Sequence, residues 1–224
     1  MEKTTVQEHF AKQASEYEQL MVKLVPNYVE QHEIISDLLP SNSDNLKVLD
    51  LGCGNGVLSE IVFRKIPNAH IVGFDLTAEM LQAYSEKLAT YKGKFETIQG
   101  DFRDGGIGEK YDIVLAGLSL HHLTWEERER FYQVIFNSMN HPGLFIARDI
   151  IIDEDTSVVQ DQYNSWKEHM RSHGEDPEMW YKKHIEKDHP MTLLTHFKWL
   201  QGAGFSKTAC QWRKYNFAIT TAAK

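Results

Sequence analysis

Cysteine is scarce in this chain: two thiols, Cys53 and Cys210, among 224 residues. That excludes a disulfide-stapled secreted scaffold, and both read as small thiols in a reducing compartment. No run approaches the roughly 18 apolar residues of a membrane span, and Met1-Glu2-Lys3 opens nothing like a secretory leader, so a cytoplasmic protein without membrane attachment is expected. Positive charge is in short supply as well. Lys and Arg number 24 against 32 Asp and Glu, and the net charge of −8 speaks against a broad nucleic-acid surface, although a local basic patch stays open. Internal repeats and low-complexity tracts are missing. With 42% hydrophobic and 25% charged residues, the composition is that of an ordinary globular domain.

What is there centres on Val48-Leu49-Asp50-Leu51-Gly52-Cys53-Gly54-Asn55-Gly56-Val57-Leu58-Ser59. Residues 47–51 are mostly apolar without clean alternation, as suits a strand buried on both faces. Val57, Leu58, Ile61, Val62 and Phe63 then recur at helical spacing. The three glycines therefore lie in a strand-to-helix turn, where backbone can approach a ligand and helix N–H groups face it. A nicotinamide-dinucleotide site wants Gly-x-Gly-x-x-Gly, but position 57 is valine. Asp50, two residues before the first glycine, suits a ligand bearing an ammonium group and suits a pyrophosphate badly.

Residues 4–24 and 26–39 carry apolar residues at helical spacing and read as two amphipathic helices. From Leu46, strand and helix signals alternate, with strands expected over 47–51, 70–74, 94–99, 111–115 and 144–152, the pattern of parallel crossovers. Pro67-Asn68, Asp104-Gly105-Gly106 and His141-Pro142-Gly143 read as breaks and turns. Thr77 is a candidate N-cap, and Thr124 with Glu127 has the spacing of a capping box. Residues 153–190, rich in charge, aromatics and histidine, interrupt the alternation as two helices split near 174–177. A helix over 193–201 and a hairpin of 207–213 with 215–221 close the chain.

Asp50 to Gly56, Asp75 at the end of the second strand, and Gly100-Asp101-Phe102 after the third resemble, in that order, the class I S-adenosylmethionine-dependent methyltransferases. The resemblance covers nearly the whole chain. It implies an α/β fold, a Rossmann-like doubly wound, seven-stranded, mostly parallel sheet with an antiparallel C-terminal hairpin. A single domain, 1–224, is then expected: a core of 46–152 and 191–224, N-terminal helices (1–40) over the cofactor, and a helical insertion (153–190) capping the substrate. It further implies S-adenosyl-L-methionine as cofactor, its methionine part cradled by Gly52, Gly54, Asn55 and Gly56. Asp75 would bind the ribose hydroxyls, with Leu76 and Met80 beside it. Asp101 and Phe102 would flank the adenine, and Ala116, Gly117 and Leu118 would lie beneath. Phe10 and Tyr17 belong to an N-terminal helix that closes over the cofactor in this family; plain packing onto the domain is the other reading of both rings.

The residue types agree with those roles. Asp50 can offset an ammonium, loop N–H groups can serve a carboxylate, and one carboxylate at Asp75, about 20 residues beyond the loop, matches two vicinal hydroxyls. Methyl transfer from sulfur is a direct displacement, so the protein mainly aligns the reacting atoms and adds a base where the nucleophile must shed a proton. His121 is the candidate for that base or for substrate contact, with His122 beside it as a substrate contact; a histidine pair packed under the cap, or exposed, is the alternative. Asp149 and Arg148, at the end of the fifth strand, are weaker candidates for gripping substrate. Tyr163, Trp166, Trp180 and Tyr181 could line a substrate cap; ordinary packing of amphipathic helices is the other reading. His169 and His173 share a helix face, but no cysteine or paired carboxylate completes a ligand set, and no metal is expected.

Residues 9–28 and 155–224 look like the carboxy-S-adenosylmethionine synthases, which act in wobble-uridine tRNA modification. Where that group places an arginine for the cofactor's extra carboxylate, this chain has Trp199, a further candidate substrate contact but no bidentate partner. Gly117 replaces its strand-four asparagine. Both departures argue for an ordinary methyl donor, while the similarity of build suggests a homodimer. The favoured reading is a methyltransferase acting on a small molecule. A carboxy-cofactor synthase or tRNA-linked enzyme, and a non-catalytic cofactor-binding partner protein, stand as alternatives.

Overall fold

In a computed structural model the chain is described over residues 17–41 and 45–224. Helix α1 (residues 17–24 of the described part) and α2 (Tyr28–Leu38) precede the sheet. Then come β1 (Lys47–Leu51), α3 (Val57–Lys65), β2 (His70–Asp75), α4 (Ala78–Lys87), β3 (Phe95–Gln99), β4 (Tyr111–Gly117), α5 (Trp125–Ser138) and β5 (Met139–Ile152). Helices α6 (Thr156–Ser172) and α7 (Pro177–Lys187) follow, then the two-residue β6 (Met191–Thr192), α8 (Leu193–Gly202), β7 (Ser206–Lys214) and β8 (Phe217–Ala223).

The strand order is β3-β2-β1-β4-β5-β8-β7, with β6 beside the end of β5. Strands β1 to β5 run parallel; β8 is antiparallel to both β5 and β7. This is the mixed sheet expected, extended to eight strands by the short β6. The order reverses between β1 and β4, whose ends meet at Leu51↔Ala116. Loops leaving those two ends diverge to opposite faces and open a crevice there.

Alternation along β1 builds both faces. Leu49 and Leu51 enter a core shared with Phe131, Ile135, Phe145 and Leu200 under α5 and α8. Val48 joins the opposite core with Ile61, Val62 and Phe63 of α3 and Tyr84 of α4. A third cluster, with Leu24, Val25, Tyr28, Trp166 and Phe217, ties α1, α2 and α6 to the sheet, and Trp166 Nε1 donates to the Leu24 carbonyl at 2.7 Å.

Local sequence rules hold at the helix starts. Thr77 accepts from the Met80 N–H, and Thr124 and Glu127 form a reciprocal capping box. One turn expectation fails. His141-Pro142-Gly143 does not start the strand but lies inside β5, where pairing jumps from Tyr111↔Met139 to Ile113↔Leu144. The segment bulges there, and a bulge is where a residue without an N–H is tolerated in a sheet.

Candidate active site

A cavity of about 340 Å³ opens at the β1/β4 crevice. Its walls bring together Tyr17, Gly52, Gly54, Asp75, Leu76, Met80, Asp101, Phe102, Gly117 and Leu118, all singled out in the sequence. Gly52 has φ +66°, and a Cβ there would lie 2.4 Å from Ser119 Cβ, so only glycine lets the loop pass this close. Asp75 Oδ2 accepts from the Gly54 N–H at 2.9 Å and Oδ1 from the Thr77 N–H at 3.0 Å. Asp101 is gripped by Arg103, whose hydrogen bonds hold its carboxyl below the ordinary range. The Phe102 ring stacks on Phe131 at 5.4 Å. Leu118 has φ +55°, a strained conformation for a leucine, anchored by its N–H to the Arg148 carbonyl at 2.7 Å.

Four expected contacts among the described residues, Gly56, Ala116, Asp50 and Asn55, lie elsewhere. Gly56 caps α3 and Ala116 is buried within β4, so neither forms a wall of this cavity. Phe10 lies outside the described residues. Asp50 lines not the main cavity but a narrow recess behind the glycine loop, with Asn55, Tyr28 and Arg148. There it accepts from Ser59 Oγ at 2.7 Å, and burial pushes its carboxyl up to about 6.

A second cavity of about 270 Å³ shares Tyr17, Leu118 and His122 with the first. Met21, Leu24, Ile150, Trp166, Trp180 and Phe217 give it apolar walls, and His121, Lys183, Lys187 and Asp188 add polar ones. His121 and His122 lie in a 3₁₀ turn, Leu120–His122, pinned between the end of β4 and the capped start of α5. His121 Nδ1 is 2.5 Å from Asp149 Oδ1, and both side chains are buried. Burial alone would raise the Asp149 carboxyl. The charge and hydrogen bond of His121, with the Arg128 guanidinium 3.6 Å away, outweigh it and hold the group below its ordinary value. An ionised Asp149 only accepts, so Nδ1 carries the proton and Nε2 is left to face Asp188, 3.9 Å away.

Asp188 ends α7 and is a residue that sequence patterns gave no reason to choose. Burial works to raise its carboxyl but is outweighed by hydrogen bonds from His122 (3.0 Å) and His184 (2.8 Å), which hold it well below the carboxylate range. His121, His122 and Asp188 bring ligand atoms within 4.8 Å of one another, the one such trio among the described residues; it does not include His169 and His173. Trp166 lines the second cavity. Tyr163 stands one layer behind, bonded to His184 Nε2 at 3.0 Å. Trp199 is in neither wall: it packs into the core from α8 with its ring 6.4 Å from that of Trp125. No helix among the described residues is long and apolar enough to cross a membrane.

Residues 48–143 match a family model described as a methyltransferase domain. The chain is 26% identical to the carboxy-S-adenosyl-L-methionine synthase of Nautilia profundicola, over 94% of this chain and 92% of that one. Among solved structures, a candidate O-methyltransferase from Nostoc punctiforme superposes with a TM-score of 0.69 at 20% identity, over 96% of this chain and 60% of that chain. Human N-acetylserotonin methyltransferase, in complex with S-adenosylmethionine, gives 0.64 at 15%, over 97% and 56%. The present chain thus spans about three fifths of these structural neighbours, and the likeness to them is one of fold.

Proposed function

From the premise that this chain is a class I S-adenosylmethionine-dependent methyltransferase, we propose that it methylates a small molecule held in the second cavity. The acceptor's nucleophile would be one that loses a proton. Residues of the first cavity fit the cofactor: the Gly52 cradle excludes side chains, Asp75 presents a carboxylate for vicinal hydroxyls, and Asp101 and Phe102 form the far wall. When bound, that cofactor supplies an electrophilic methyl group on sulfur.

The observation that carries the reading is the buried His121–Asp149 pair on the cavity that adjoins the cofactor cavity through Leu118 and His122. Asp149 fixes the ring with Nδ1 protonated, so Nε2 can receive a proton and the resulting imidazolium is stabilised by the carboxylate. Apolar walls from Trp166, Trp180 and Phe217 exclude water and orient a small acceptor. An acceptor screen read out as S-adenosylhomocysteine formation tests it. His121→Ala should abolish turnover of any hit while leaving S-adenosylhomocysteine affinity within twofold; retained turnover overturns the reading.

A carboxy-cofactor synthase is the second reading, favoured by the nearly full-length match to that group. Against it, Trp199 bears no charge and faces the core. An asparagine in place of Gly117 would put its Cβ 2.6 Å from Leu58 Cδ1. Tighter binding of the carboxylated cofactor than of S-adenosylmethionine would decide for it.

A further inference from the structure

Arg148 and Asp149 are consecutive on β5, so their side chains leave opposite faces of the sheet. Asp149 goes to the acceptor side. Arg148 goes to the recess behind the glycine loop, where it is 4% exposed and its guanidinium lies 4.9 Å over the Tyr28 ring. Its Nε and Nη1 have no hydrogen-bond partner, and no ion pair reaches it among the described residues. A buried guanidinium with unspent N–H groups is costly unless an anion completes it, and its planar fork matches a carboxylate. In the same recess stands the buried carboxylate of Asp50.

Four of the loop's backbone donors are already taken. Gly52 and Cys53 both donate their N–H to the Phe74 carbonyl (2.8 and 3.0 Å), Gly54 to Asp75 (2.9 Å) and Gly56 to the Cys53 carbonyl (2.9 Å). Those four N–H groups, which the sequence offered to a carboxylate, hold the loop itself. We infer that Arg148 receives the carboxylate of an α-amino-acid group while Asp50 faces its ammonium, so that the recess recognises a zwitterion. This rests on the cofactor reading above and assigns the amino-acid end of that molecule to an arginine on β5.

Calorimetry on the full chain with two ligands separates the parts. S-adenosylhomocysteine carries the amino-acid end; 5′-methylthioadenosine keeps the nucleoside and lacks it. Arg148→Gln should weaken S-adenosylhomocysteine at least tenfold and leave methylthioadenosine within twofold, with Arg148→Lys in between. Unchanged S-adenosylhomocysteine binding, or equal loss for both ligands, overturns the inference. Should the variant not fold, the native protein decides: decarboxylated S-adenosylmethionine should bind at least tenfold more weakly than S-adenosylmethionine, and equal affinity overturns the inference. Native protein that binds neither nucleoside would instead bring down the cofactor reading, and this inference with it.

Discussion

The Gly54 N–H donates to Asp75 Oδ2 across 2.9 Å, so the acid at the end of β2 holds the glycine loop as well as facing the cavity. Asp75 therefore has two jobs, and its removal should show both. Hydrogen bonds to a charged group contribute about 1.5–3 kcal/mol each, and every 1.4 kcal/mol is roughly tenfold in affinity. Asp75→Ala should weaken S-adenosylhomocysteine and methylthioadenosine alike, by at least about tenfold, because both carry the ribose. That pattern differs from the one expected at Arg148. Calorimetry with both ligands checks it, and unchanged affinity for either would sink the assignment of the first cavity.

In the proposed function Asp149 positions His121, and Asp149→Asn keeps its shape without its charge. General-base catalysis contributes about 10²–10⁴-fold, so kcat for an acceptor found by screening should fall within that range. Cofactor affinity should stay within twofold, since the pair lies beyond the first cavity. A variant that lost activity through misfolding alone would lose cofactor affinity as well.

The buried Asp50 carboxyl, raised by desolvation to about 6, gives cofactor binding a pH dependence of definite sign. An ammonium prefers the ionised form, present above about 6. Affinity for S-adenosylhomocysteine should therefore fall several-fold from pH 7 to pH 5, while methylthioadenosine, with no ammonium, should not follow. The sign for stability is opposite. In the unfolded chain Asp50 ionises near 3.8, so between that pH and about 6 the folded state binds more protons, and rising pH weakens the fold. Asp50→Asn should raise Tm at pH 7, by up to roughly 3 kcal/mol of stability, with no gain at pH 4. Thermal melts at the two pH values check it.

Alternation of strands and helices, the glycine turn and the Thr124–Glu127 box were legible because each depends on neighbours within a few residues. Asp188 was not. It meets His122 from 66 residues away, and nothing in a lone aspartate after a helix tells which turn it will face. Arg148 and Asp149 looked alike in the sequence, as polar residues at one strand end. Only the sheet, by sending them to opposite faces, places one in the recess behind the glycine loop and the other against His121. Pro142 misled for a local reason: a turn signal reports backbone that cannot pair, and a bulge satisfies the same constraint within a strand.

Two tryptophans test whether aromatic content in the C-terminal third marks an acceptor pocket or ordinary packing. Trp166 faces the second cavity while its Nε1 holds the Leu24 carbonyl, so it joins α6 to α1 across the pocket. Trp199, half-buried, packs from α8 against the core and touches neither cavity. Truncating the buried Trp166 should cost about 3–5 kcal/mol of stability, and truncating the half-buried Trp199 less. Stability alone will not tell them apart. Replacing each by phenylalanine limits the structural loss and leaves the kinetic difference: Trp166→Phe should raise the acceptor's KM several-fold, and Trp199→Phe should leave it unchanged. Equal KM values in the two variants would mean that the acceptor binds somewhere other than the second cavity.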